Sequence, residues 1–129
     1  EKLIRKYNIG IGILTAPRVG AKVVELISDP AFLAEVARKG ALLRQGLESL
    51  VARHPQVFEA MRGEGLILGL KCKPAPADVV KAGYKAGILT VAAADNVLRL
   101  LPALNIPDDD IAEALTRLDE VATALEKAA

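Results

Sequence analysis

The chain has 129 residues, 52% of them hydrophobic and 26% charged, with 17 basic groups against 16 acidic ones for a formal charge of +1. That is enough for one aliphatic core and too apolar for a disordered chain, while the near-neutral balance gives no electrostatic reason to expect nucleic acid. Aromatics are only 3%, with no Trp, and there is one Cys (Cys72) and one His (His54), so an internal disulfide is excluded and a four-ligand zinc site would need two carboxylates. A lone thiol fits a reducing, cytoplasmic setting.

The first residue is Glu, and Lys2, Arg5 and Lys6 ahead of the uncharged stretch 7–17 faintly mimic a secretory signal. The alternation of Ile9, Ile11 and Ile13 with Gly10, Gly12 and Leu14 reads instead as a strand over 8–15, after a helical turn over 1–6 and ended by Pro17. A first helix follows over 18–27. Ser28-Asp29-Pro30 is a restart signal, because Asp29 can cap orphan amides and proline suits the first helical position. From there Leu33, Val36, Ala37, Leu43, Leu47, Leu50 and Val51 recur at three- and four-residue steps, one apolar stripe of a long helix that covers a sheet face. His54-Pro55 ends it. His54 is read as a polar residue at a helix C-terminus, well placed against the dipole when protonated.

Residues 57–62 read as a linker or short turn. Gly63 to Cys72 reads as one buried strand, and Cys72 as a small space-filling thiol. A loop over 73–76 leads to a short helix over 77–86, which Gly87 stops in a left-handed conformation. Strands over 88–92 and 97–101 are joined by a tight turn at Asp95-Asn96. Asp108, Asp109 and Asp110 open a last helix with negative charge at its positive end, and its stripe is Ile111, Leu115, Leu118, Ala122 and Leu125. The order β, α, α, β, α, β, β, α predicts an α+β fold, a mainly antiparallel sheet covered by helices, in a single domain over 1–129. Gly12-Ile13-Leu14-Thr15 returns as Gly87-Ile88-Leu89-Thr90, an echo too short to claim a duplication.

The glycines invite a dinucleotide test, which fails. Gly10-Ile11-Gly12 is followed by Thr15 and Gly63-Glu64-Gly65 by Leu68 where a third glycine is needed, and neither lies between a strand and a helix. No glycine precedes Lys-Ser or Lys-Thr, so a phosphate loop is excluded as well. Arg99, inside the apolar run Val97 to Leu101, does need a reason. Its guanidinium must reach solvent or an anion, and arginine suits two-point capture of a carboxylate.

Ile27 to Val36, Gly40 to Leu47, Val57 to Gly69, Gly87-Ile88-Leu89-Thr90 and Arg99-Leu100-Leu101-Pro102-Ala103-Leu104 together resemble the C-terminal, small domain of class III, fold-type I aminotransferases, most closely the acetylornithine/ornithine group. The order Arg-Gly-x-Gly-Leu-x-x-Gly, then Arg-x-x-Pro-x-Leu, carries the resemblance over about residues 24 to 127. It implies pyridoxal phosphate in the intact enzyme and no cofactor in this chain alone, a large transaminase domain as partner, and a self-associating surface where that domain is missing. It also implies that Arg99 binds the substrate α-carboxylate and that catalytic residues lie outside the chain, which would be inactive alone. Ala103 stands where the family usually has a second proline, and Pro107 where it has a Ser or Thr cap. Residues 1–20 fall outside the resemblance and read as an added or engineered segment that supplies a missing strand. The alternative is a stand-alone α+β interaction or small-ligand regulatory module, with no nucleic acid and no membrane as partner.

Overall fold

The computed structural model describes the backbone of residues 9–128 and the side chains of residues 18–128. The chain divides into two compact units, Glu1–Glu35 and Val36–Ala129.

In the first unit, helix α1 spans Ile9–Ile27 and helix α2 begins at Pro30. The expected turn over 1–6 lies outside the described residues. The expected strand over 8–15 is corrected: from Ile9 onward this stretch is helical, and the helix runs through Pro17 to Ile27. A continuous apolar run of this length satisfies strand and helix periodicity alike. A helix bonds its backbone internally, whereas a strand here would need a partner, and the sheet takes all its strands from residues 58–100. Among the described residues the N-terminal segment therefore supplies no strand. Pro17 inside this helix forfeits the hydrogen bond to the Ile13 carbonyl and crowds that carbonyl with its ring, a cost of about 3 kcal/mol. Past Arg18 the helix displays Val19, Val23, Val24, Leu26 and Ile27, all exposed. No helix among the described residues is long and apolar enough to cross a membrane. The restart works as the sequence indicates: Asp29 Oδ1 accepts the amides of Ala31 at 2.7 Å and Phe32 at 3.2 Å.

In the second unit, α2 (Pro30–Arg53) is followed by β1 (Phe58–Glu64), β2 (Ile67–Cys72), α3 (Pro76–Lys85), β3 (Val91–Ala93), β4 (Val97–Leu100) and α4 (Asp108–Ala128). The sheet is antiparallel throughout, in the order β1-β2-β4-β3. The structure is the expected α+β fold, with two local corrections. Residues 58–62 are a strand and not a linker, and the single strand expected over 63–72 is the end of one strand, a turn and a second strand. Gly63 (φ +109°) and Gly65 (φ +56°) take conformations costly for other residues and fold the chain back. A Cβ on Gly63 would lie 2.1 Å from the Ile67 carbonyl oxygen.

The third strand is shorter than expected, Val91–Ala93. Gly87 (φ +74°) closes α3 as anticipated, and Ile88 donates its amide to the Gly83 carbonyl at 2.9 Å, which turns Ile88 and Thr90 inward before the strand begins. Asp95 and Asn96 both sit near φ +60°, in the three-residue turn between the paired Ala93 and Val97.

Side-chain alternation divides the sheet. Leu68, Leu70 and Cys72 of β2 and Leu98 and Leu100 of β4 share the face that buries Leu43, Leu47 and Leu50 of α2, Val79 of α3, and Ile111, Leu118, Val121 and Ala122 of α4. The early part of the α2 stripe, Leu33 and Ala37, is exposed. On the opposite face Ile67, Val91 and Arg99 are exposed.

Candidate functional site

The open face of the sheet is set by register. Arg62 of β1 pairs with Gly69 of β2, Gly69 with Arg99 of β4, and Arg99 with Val91 of β3, one row across all four strands. Strands lie about 4.8 Å apart, so the two arginines stand roughly 10 Å apart at the backbone with a glycine between them. Arg62, Gly63, Ile67, Gly69, Val97 and Arg99 line a shallow cavity of about 200 Å³ there.

The two arginines differ in commitment. Arg62 is ion-paired with Asp95 in the β3–β4 turn, and the same carboxylate takes Lys71 Nζ at 2.7 Å. Hydrogen bonds from Lys71 and then Arg62 hold the Asp95 carboxyl below its usual range. Arg99 is exposed and has no hydrogen bond or ion pair among the described residues. A guanidinium fixed on a strand, facing outward and uncommitted, is suited to a carboxylate or phosphate oxygen pair. The sequence singles out Arg99 but misses Arg62, Lys71 and Asp95. Their association depends on strand register, and only the turn propensity of Asp95-Asn96 hints at it.

The other chemistry-bearing residues are committed elsewhere. Cys72 is buried, its thiol donates to the Leu70 carbonyl at 3.3 Å, and desolvation pushes its pKa up, so it is not an activated nucleophile. Both ring nitrogens of His54 face carboxylates of α4. Gly63 and Glu64 end β1 and Gly65 opens the hairpin turn, and Gly10 and Gly12 lie in α1. No cluster of His, Cys, Asp and Glu among the described residues could hold a metal.

An aldehyde cofactor is anchored to a protein through a lysine amine. Such an anchor needs a desolvated amine with an anion cradle and an acidic partner nearby. Lys22, Lys73, Lys81, Lys85 and Lys127 are exposed, half-buried Lys71 is bound to Asp95, and half-buried Lys39 lies in the field of Asp108. These residues do not fit a pyridoxal phosphate site.

A family model described as aminotransferase class-III matches residues 12–122. That match begins inside the segment that the sequence reading left outside the resemblance. The chain is 60% identical over 108 residues to acetylornithine aminotransferase of Rhodobacter capsulatus, covering 84% of this chain and 28% of that protein. Against acetylornithine aminotransferase of Mesorhizobium japonicum it is 43% identical over 103 residues, 80% of this chain and 26% of the relative. The chain thus spans about a quarter of the length of these curated relatives. Among solved structures, N-acetylornithine aminotransferase of Stenotrophomonas maltophilia superposes with a TM-score of 0.71 at 31% identity, covering 78% of this chain and 29% of that one.

Proposed function

Because the chain belongs to the class-III aminotransferases, we propose that it is the small-domain part of an acetylornithine-type transaminase, that Arg99 binds the substrate α-carboxylate in the assembled enzyme, and that the chain does not catalyse alone. The observation that carries this reading is the uncommitted Arg99 on an open sheet face. A carboxylate held at two points by a rigid guanidinium leaves the amine of an amino acid in a fixed direction, which is what a group-transfer centre supplied from elsewhere requires. Gly69 keeps that row of the sheet free of a side chain between Arg99 and Arg62. Lys71 and Arg62 share the single Asp95 carboxylate, a trio of net charge +1, and Arg99 is the cation of this face with no ion-pair partner among the described residues, so an incoming carboxylate meets a positive field and one uncommitted guanidinium.

Pyridoxal phosphate, when bound in the intact enzyme, supplies the carbonyl that exchanges with the amine. The described lysines of this chain do not fit it. A large transaminase domain is the proposed partner. Exposed Ile67 (62%) and Val91 (54%) beside Arg99, with Leu89 (85%) and Leu101 (57%) in the flanking loops, support such contact. A free, buried thiol is in keeping with a cytoplasmic setting.

The test is to exchange this chain for the equivalent quarter of the 60%-identical relative and assay transamination. Arg99→Ala is expected to lower kcat/KM by about 10–100-fold, the loss of a charge-assisted pair, with Arg99→Lys recovering part of it. Full activity in the Arg99→Ala hybrid sinks the proposed role. For inactivity alone, the full chain is incubated with pyridoxal phosphate and reduced with borohydride. Stoichiometric labelling of one lysine overturns the reading.

A further inference from the structure

His54 sits where α2 gives way to β1. Its amide donates to the Leu50 carbonyl at 3.0 Å, and its own carbonyl accepts from Val57 at 3.0 Å and Phe58 at 2.9 Å. The residue is only 8% exposed. Nδ1 lies 3.1 Å from Glu126 Oε2, and Nε2 lies 2.9 Å from Asp119 Oδ1. Asp119 and Glu126 are two helical turns apart on α4, so one ring bridges two rungs of a single helix face.

An ionised carboxylate only accepts hydrogen bonds, and only the imidazolium form of histidine donates from both nitrogens. The geometry is therefore complete only with both nitrogens protonated. The charged groups that face the ring are Asp119 and Glu126 from α4 and, through Asp119, Arg53 of α2, whose Nη1 is 2.7 Å from Asp119 Oδ1. Neither β1 nor α3 contributes a polar side chain to it among the described residues. With the ring charged, these four groups sum to zero; with it neutral, they carry one net negative charge.

From this arrangement we propose that His54 is a proton-operated latch, whose imidazolium ties the end of α2 to the 119–126 stretch of α4, and that loss of one proton opens the Glu126 half of the tie. A neutral ring can donate once. Asp119 keeps its arginine whichever nitrogen retains the proton, whereas Glu126 is exposed and has no second partner among the described residues. Its carboxylate moves to water at least cost. Val121, Ala122 and Leu125 lie between the two rungs, and Val121 and Leu125 line a groove of about 500 Å³ between α3 and α4. The latch thus steadies one wall of that groove.

Burial of the ring disfavours its charge, but hydrogen bonds and attraction from Asp119 and Glu126 outweigh it and leave the His54 pKa above its ordinary value. For a raised pKa the stabilisation is complete below the unfolded value, about 6.5, and is lost as pH rises through the folded value.

His54 is the only histidine, so its Cε1 proton gives a single NMR signal in the full chain. The expected titration midpoint lies above that of the urea-unfolded chain, and Glu126→Gln and Asp119→Asn each bring it down. Resistance of the wild type to denaturant should fall as pH rises above the unfolded histidine value of about 6.5, beyond the change seen in His54→Gln. A midpoint at or below the unfolded value, or one unmoved by Glu126→Gln, overturns the latch. If His54→Gln does not fold, the NMR comparison decides alone. Neither measurement depends on the transaminase reading.

Discussion

The two faces of the sheet are made from the same strands and do opposite work. On the covered face Leu68, Leu70, Leu98 and Leu100 are at most 7% exposed, packed under three helices. One residue away along the same strands, Ile67 is 62% exposed and Arg99 reaches solvent. Strand alternation imposes the split, because successive side chains leave the sheet on opposite sides. The covered face holds the fold. The open face leaves Ile67 and Val91 largely in water and so buries less apolar area.

Substitutions can test that division directly. Leu98→Ala, at the centre of the covered face, should cost about 2–5 kcal/mol in chemical denaturation, the usual range for a fully buried leucine. A loss below about 1 kcal/mol would mean that the helices do not pack there as described. Gly87→Ala follows: its φ of +74° suits glycine, and a Cβ would lie 2.1 Å from Arg117 Nη1, which donates to the Ala86 and Gly87 carbonyls. About 1–3 kcal/mol is expected, and a Glu113→Gln background separates strain from disturbance of the Arg117 network. Arg99→Ala and Ile67→Ala, on the open face, should each change stability by less than about 0.5 kcal/mol. A larger loss would make Arg99 a structural residue and remove the distinction between the faces.

The smallest effect concerns Asp95. Its carboxyl is held down by Lys71 and Arg62, so its contribution is present above the unfolded pKa near 3.9 and is lost as pH falls through the lower folded value. Acid unfolding of Asp95→Asn should show a shallower slope below about pH 4 than wild type. Equal slopes would show that the turn does not use the charge.

Features readable in the sequence are those decided within a few residues. Asp29 before Pro30, Gly87 after α3, the Asp95-Asn96 turn and the acidic start of α4 each follow from the local needs of a chain end or turn. Arg99 was legible because a cation in an apolar strand is chemically conspicuous. What escaped depends on distant partners. Residues 9–15 are apolar at nearly every position and carry no period that separates strand from helix. Residues 58–62 contain Glu59 and Arg62 and look like a linker until β2 is there to pair with. His54 was legible as a helix end, but its ring partners lie 65 and 72 residues further along. Nothing near His54 announces them, and on α4 they look like ordinary solvent-facing acids.

The outermost strands bear on how copies of this chain can meet. β3 is three residues long, and β1 breaks its register with a bulge between Phe58 and Ala60. A short edge and a kinked edge are poor templates for an added strand, so the ladder has little tendency to continue into a neighbour. Association driven by the apolar residues of the open face would be face to face, where two surfaces cover each other and growth stops. Such a pair would be finite, unlike the open-ended ribbon that an unguarded sheet edge would seed.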